Sequence, residues 1–341
     1  MQFILTGGSG FIGTHLTNLL SEQYPERKVW NFDMIEPGMP NPVVKNYKSA
    51  LKKNQFVRST FVMCDVREEL PNPPFVPTPE DVIFHLAAVH RTPGHKDEEY
   101  FETNIKGAEN VCAFAEKHGI KRIVFVSSIA PYGASEELKS ETSLPMPNTP
   151  YGISKLVAEK TLLSWQKEDK DRKLLILRPG VVFGLGENGN FTRLYEGLKK
   201  RKFAYPGRKD TIKACIYVKE LVRFILWNVE SWKYEKTGFC KLYNCCYEPS
   251  YTIEQIVKKM LVVTDMNRIV PNMPNWLIMP IASFLGFLGS PMGICPARVK
   301  KLQISTNISG AKMLQSGYQF KYTLEEALQD WYADNDNRCL E

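Results

Sequence analysis

The stretch "FILTGGSGFIGTHLTNLLSEQ", residues 3–23, holds an apolar run, a glycine cluster and an amphipathic segment in succession. The run at 3–8 has the continuous apolar character of a strand buried on both faces. The segment 11–23 places apolar residues at 12, 16, 19 and 20, the spacing of one helix face. Between them stand Gly7, Gly10 and Gly13. Glycines at such a turn let the backbone approach a ligand closely, and Phe11, Ile12 and Gly13 open a helix whose first N–H groups are unpaired. The unit predicts a strand–turn–helix cradle for a phosphate. A lysine followed by Ser or Thr is missing from it, which excludes an ATP-type phosphate loop. An acid ends the next strand-like run, "KVWNFDM" (28–34): Asp33, 20 residues past Gly13. A carboxylate there can accept from both hydroxyls of a ribose and would repel a 2′-phosphate. The expected ligand is therefore a dinucleotide, NAD in preference to NADP.

The alternation continues through the first half of the chain. Strand-like runs at 59–66, 81–88, 122–128 and 173–180 alternate with helical patterns at 103–118 and 151–168. Continuous apolar strands separated by helices indicate parallel pairing. The predicted fold is α/β, a doubly wound parallel-sheet Rossmann fold with a smaller, irregular C-terminal substrate lobe. Residues 1–180 are expected to form the NAD-binding domain, to which the chain returns at about 213–245. Residues 181–212 and 246–341 are expected to form the substrate lobe.

Composition narrows the partners. The net charge of +7 is scattered, and no module for nucleic acid stands out, so no nucleic-acid partner is expected. None of the eight cysteines forms a Cys-x-x-Cys pair, so no metal is expected. The start "MQFILTGG" lacks the basic region of a signal peptide, and with the cysteines this favours a cytoplasmic location. The segment "PNWLIMPIASFLGFLG" (274–289) is apolar, but it is short and contains Pro280. It reads as a buried or partly exposed helix pair, with a lipid-facing patch as the alternative; no spanning segment is expected.

Tyr-x-x-x-Lys occurs four times: Tyr24/Lys28, Tyr151/Lys155, Tyr195/Lys199 and Tyr205/Lys209. Only the second follows a run ending in serines, "RIVFVSS", and only it sits behind a proline suited to a first helical turn, Pro150. With these features the chain resembles the extended branch of the short-chain dehydrogenase/reductase (SDR) superfamily, from residue 1 to about 335. "CDV", "HLAAVH", "ETNIKGAENV", "RPGVVFGLG" and "STNISGAKMLQSGYQFKYTLEEAL" carry the rest of the likeness. The resemblance implies Ser128, Tyr151 and Lys155 as the catalytic set. Ser128 is selected because it lies four residues before Tyr132 of the "YG" pair. It implies cofactor contacts from Gly7, Gly10, Phe11, Ile12, Gly13, Asp33, Asp65, Val66, Ala87, Ala88, Asn104, Tyr151 and Lys155. A homodimer through helices 103–118 and 151–168 is also implied.

The chemistry suits those residue types. Oxidising a secondary alcohol requires removal of its proton, and an ordinary tyrosine, with a pKa of about 10, is a poor base. A nearby ammonium favours tyrosinate, and a serine fixes the reacting oxygen. Related 4,6-dehydratases carry an Asp-Glu pair after the strand-five hydroxyl; here Ile129 and Ala130 stand there. The sequence is most like nucleotide-sugar 4-epimerases, which oxidise transiently to a 4-keto sugar and re-reduce it. The alternative is an NAD-dependent dehydrogenase or reductase of a sugar-nucleotide or of a hydrophobic, 3β-hydroxysteroid-like alcohol. Expected substrate contacts are His90, Arg91, Asn190 and Lys213. Lys213 opens "KACIYV", which departs from the family's R-D-(F/Y)-(I/V)-H-V form.

Overall fold

Seven short runs form one all-parallel sheet: β1 Phe3–Thr6, β2 Val29–Asp33, β3 Ser59–Met63, β4 Val82–His85, β5 Arg122–Val126, β6 Lys173–Pro179 and β7 Phe239–Cys245. Their order across the sheet is β7-β6-β5-β4-β1-β2-β3, a doubly wound arrangement whose direction reverses between β1 and β4. The computed structural model describes residues 1–37, 39, 59–90, 94–287 and 296–341.

Alternate side chains of each strand enter opposite cores. Phe3, Leu5, Val82, Phe84 and Val124 pack beneath α1 (Phe11–Gln23). Ile4, Ile83, Ile123 and Phe125 pack on the other side, beneath α2 (Asp97–Lys117) and α3 (Pro150–Lys167). Helix α2 begins six residues earlier than its apolar spacing predicts. Asp97, Glu98 and Glu99 fill its first turn, where negative charge suits the helix dipole. Thr149 caps α3 by accepting from the Gly152 N–H at 3.1 Å, and Pro150 follows as its first residue.

Beyond β6 the chain forms α4 (Asn190–Lys199), α5 (Val218–Ser231) and α6 (Ile253–Val263). Helix α5 returns to the main sheet and packs Leu221, Phe224 and Ile225 into the core on the α1 side. A third core gathers Phe183, Tyr195, Tyr217, Met260 and Trp331. A four-stranded sheet joins Tyr251–Thr252, Ile212–Lys213, Thr306–Ile308 and Ser135–Lys139, linking the C-terminal region to the segment after Tyr132. Helices α7 (Asn275–Phe287) and α8 (Pro296–Gln303) pack on one another. Within the apolar segment 274–289 the described residues form one helix, not the expected pair; its packing partner α8 lies beyond the segment, part of α7 is exposed, and residues 288 and 289 lie outside the described residues. No helix among the described residues is long and apolar enough to cross a membrane.

Candidate active site

The glycine cluster lies where the sheet reverses direction. Gly7 adopts φ +78°, and its N–H donates to Phe32 O at 3.0 Å. A Cβ on Gly7 would lie 2.6 Å from Ala87 N, and one on Gly13 would lie 2.4 Å from Gly7 O. Neither position admits a side chain without moving backbone. The Gly10 Cβ position is also tight, 3.2 Å from Gly7 O. Gly10 precedes α1 with no side-chain cap, and the first turn holds no acid. Phe11, Ile12 and Gly13 therefore present N–H groups at the positive end of the helix dipole.

Asp33 is already oriented. Its carboxylate accepts the Ser9 N–H at 2.9 Å and the Ile35 N–H at 3.1 Å. Burial pushes its pKa up while these N–H groups pull it down. Ser9 is held in turn by Asn31, whose Nδ2 donates to Ser9 Oγ at 2.8 Å. Ala87 and Ala88 continue from β4, and the Ala87 N–H donates to Thr6 O at 2.9 Å. Asp65 and the buried Val66 follow β3. Arg67 grips Asp65 through Nε at 2.9 and 3.0 Å and Nη2 at 2.5 Å, holding that carboxyl below its usual range.

Two turns of structure bring the hydroxyls together. Ser128 follows β5, and its Oγ accepts the Ala130 N–H at 3.1 Å. Tyr151 stands in the first turn of α3 near Ser128, whose side chain draws the tyrosine's pKa down. Desolvation pushes the Tyr151 hydroxyl up to about 12, opposed by the Ser128 side chain. Lys155, one turn on, is buried; its Nζ donates to Val126 O at 2.8 Å and lies 4.2 Å from the centre of the Phe125 ring. Burial lowers Lys155 to about 7. His85 stacks on the same Phe125 ring and pairs through Nδ1 with Thr6 Oγ1 at 2.8 Å. Asn104 bridges the β4 loop to α3. Its amide meets the Val89 backbone at 2.9 and 3.0 Å and Ser154 Oγ at 2.9 Å.

The other Tyr-x-x-x-Lys pairs stand in different settings. Tyr24 ends α1 and donates to Glu230. Lys199 and Lys209 each hold Nζ 5.4 Å from the centre of their tyrosine's ring.

Beneath the Ser128–Tyr151–Lys155 group lies a network that sequence reasoning missed. Glu159 accepts from Ser127 Oγ at 2.6 Å and pairs with Arg178 at 2.5 and 2.9 Å, both charges being buried. Arg178 covers the Tyr132 ring at 4.6 Å, and the Tyr132 hydroxyl donates to Asn244 Oδ1 at 2.9 Å. The available signal was Glu159 at i+4 from Lys155 on an otherwise buried helix face, where a charge needs a partner.

The expected substrate residues are more dispersed. His90 is exposed beyond the carboxyl end of β4. Arg91 lies outside the described residues. Asn190 opens α4 and accepts from Arg193 Nη2 at 2.9 Å. Lys213 donates from Nζ to Ile304 O at 2.6 Å. Among the described residues, no group of His, Cys, Asp and Glu could hold a metal ion.

A seven-stranded parallel sheet, a glycine cradle at its reversal and a serine, tyrosine and lysine beside it define an extended short-chain dehydrogenase/reductase. The family model "Epimerase: NAD dependent epimerase/dehydratase family" matches residues 3–244, and the chain belongs to that family. The chain is 29% identical over 334 residues to an N-acetyl-α-D-glucosaminyl-diphospho-ditrans,octacis-undecaprenol 4-epimerase of Escherichia coli O157:H7, covering 95% of this chain and 92% of the relative. It is 31% identical over 196 residues to the UDP-glucose 4-epimerase of Streptococcus mutans, covering 56% of this chain and 54% of the relative. In fold it is similar to the UDP-glucuronic acid 4-epimerase of Bacillus cereus solved with NAD, with a TM-score of 0.71, 18% identity and 99% of each chain covered. The UDP-N-acetylglucosamine 4-epimerase of Methanobrevibacter ruminantium gives a TM-score of 0.71 at 20% identity, covering 99% of this chain and 98% of that one.

Proposed function

We propose that this chain is an NAD-dependent 4-epimerase of a sugar in diphosphate linkage. One observation carries the reading: Tyr151 stands close enough to Ser128 to have its pKa drawn down by it, one helical turn from a buried lysine, while Ile129 and Ala130 leave no acid/base pair for a dehydration. Gly7, Gly10 and Gly13 give a pyrophosphate room, the uncapped start of α1 gives it N–H donors, and Asp33 selects a free ribose diol. Asp65, Val66, Ala87, Ala88 and Asn104 complete the proposed cofactor contacts. NAD, when bound, supplies a hydride acceptor that returns the hydride.

The remaining work belongs to the chain's own side chains. Tyr151 Oη takes the proton of the sugar C4 hydroxyl as the C4–H bond breaks. Ser128 Oγ holds the same oxygen through both half-reactions. The 4-keto sugar turns within the site, and Tyr151 gives the proton back as the other face is reduced. An unaided hydroxyl at about 12 is a weak base, so cationic charge in the occupied site has to lower it. Lys155 is the chain's own source of that charge. Leaving Val126 O for a ribose hydroxyl would bring its ammonium toward the reaction.

Lys213, Asn190, His90 and Arg91 are the proposed substrate contacts, with Lys213 serving the diphosphate. A nucleotide sugar is the class shared by the UDP-sugar enzymes above. A polyprenol-diphosphate sugar is the class named for the relative matched over nearly its whole length. The shared chemistry is a pyranose on a diphosphate. Residues 1–180 with the return at about 213–245 form the proposed NAD-binding domain, and 181–212 with 246–341 the substrate lobe. A homodimer through α2 and α3 is supported by Ile153 and Val157, exposed one turn apart on α3. The free cysteines among the described residues suit a reducing cytoplasm.

The test is incubation of the purified chain with UDP- and polyprenol-linked N-acetylhexosamines, followed by chromatography of the released sugars. Interconversion of the C4 epimers without added NADH is expected. Accumulation of NADH in proportion to substrate would favour the dehydrogenase alternative instead.

A further inference from the structure

From Ile269 to Ala297 the chain carries no Asp, Glu, Lys, Arg or His. Helix α7 lies within this stretch, and several of its described side chains stand in solvent. Trp276 is 77% exposed, Leu277 and Pro280 are exposed beside it, and Ile269 on the approach is 95% exposed. Residues 276, 280 and 283 recur at helical spacing, so the exposed positions form one uncharged stripe. Helix α7 has 13 residues and contains Pro280, too short to span a bilayer.

A cationic edge is fastened to the same region. Lys199, Lys200, Arg201 and Lys202 are consecutive and exposed at the end of α4. Arg268 ties them to the approach of α7 by donating to Leu198 O and, at 3.2 Å, to Lys199 O. Tyr205–Pro206 pairs with Asn272–Met273, and the Gly207 N–H donates to Met273 O at 2.8 Å. Helix α8 packs on α7, its Gln303 Nε2 donates to Asn275 Oδ1 at 2.6 Å, and its Lys300 is exposed. Glu196 pairs with Lys200, and Asp265 is an exposed acid on the turn before Arg268, so the edge keeps a net positive charge.

We infer that α7 and the 199–202 run form one membrane-docking face for a bilayer of anionic phospholipid. The uncharged stripe lies in the interface with Trp276 at headgroup depth, and the cations face lipid phosphates. Charge complementarity selects this occupant: a two-fold contact with a second copy would bring two cationic runs into one interface. The inference deepens the reading above by naming the carrier, a membrane-resident polyprenol. Helix α8 leads directly to Thr306–Ile308, which pairs with Lys213 and with the strand that follows Tyr132. Docking through α7 would thus hold the substrate lobe at the surface where such a diphosphate resides.

The test is co-sedimentation of the purified full chain with phosphatidylcholine vesicles, with and without phosphatidylglycerol and without any sugar substrate. Binding to the anionic vesicles, weakened by salt, is expected. Changing Lys199, Lys200, Arg201 and Lys202 to Gln should reduce it well over tenfold, at roughly fivefold per cation. The W276S/L277S double variant should reduce it by roughly tenfold or more while leaving the circular dichroism spectrum unchanged. The inference is overturned if wild type stays in the supernatant with both vesicles, or if W276S/L277S binds as wild type does. It is equally overturned if W276S/L277S turns a dimer into a monomer by light scattering, which assigns the face to a second copy. Vesicle binding without epimerisation would sink the catalytic reading alone; epimerisation without vesicle binding would sink this inference alone.

Discussion

Helices α3 and α7 treat side chains in opposite ways. Helix α3 buries two charged residues, Lys155 and Glu159, and provides each with a partner in the sheet. Helix α7 carries no charge and leaves a tryptophan in solvent. Both are departures from the usual partition of residues between core and surface. The first is satisfied from within the fold, by Val126 O and Arg178, and so belongs to the protein's own chemistry. The second finds no such partner among the described residues, and it points outward.

The contrast can be broken most severely at Tyr151. Tyr151→Phe removes one hydroxyl from α3 and should lower turnover about 10³-fold, within the usual range for a lost acid/base group. The melting temperature should stay close to wild type; an unchanged turnover number would show that α3 does not hold the base. Next comes Glu159→Leu, which strands the buried Arg178 guanidinium. A loss of about 3–5 kcal/mol in urea unfolding is expected, and replacing Arg178 by Met as well should recover much of it.

Lys155→Met separates function from stability. Lys155 is held at about 7 in the fold against 10.5 for an ordinary lysine. Below pH 7 the unfolded chain and the fold both carry its proton, and the full penalty for burying that charge applies. Between about pH 7 and 10.5 the unfolded state binds more protons than the fold, so wild-type stability gains with rising pH, and above 10.5 the penalty is gone. The Met variant lacks the penalty. It should be inactive yet more stable at pH 7, on the order of 3 kcal/mol after allowing for the orphaned Val126 carbonyl. The gap should narrow as pH rises toward 10.5; a gap that does not change with pH would contradict a buried, depressed lysine. The smallest effect belongs to α7. Trp276→Ser should shift unfolding by no more than about 0.5 kcal/mol, because its ring is mostly in solvent already.

How far the sequence could be read follows the same division. Strands β1, β2, β4, β5 and β6 are buried on both faces and announce themselves as largely apolar runs. Strand β7 sits at the sheet edge, and Lys241 and Asn244 interrupt its pattern, so it reads only as a strand-like piece of uncertain place. The early start of α2 is set by Asp97, Glu98 and Glu99, which carry no apolar period. At the site, Ser128, Tyr151 and Lys155 are legible because a strand end, a proline and a helix frame them within a few tens of residues. The Glu159–Arg178 pair is not, because its members come from different elements and neither has a local marker. The expected effect of Lys155 on Tyr151 is also not visible in this arrangement: the ammonium is tied to Val126 O, and desolvation dominates the tyrosine.

The central claim is that hydride leaves and returns to the same sugar carbon. Its most direct test uses a sugar diphosphate deuterated at C4, incubated with the purified chain and unlabelled NAD, with both epimers analysed by mass spectrometry. The account predicts epimerised product that retains its deuterium at C4, with no net NADH. Loss of the label to solvent, or NADH formed in step with a keto product, would contradict it.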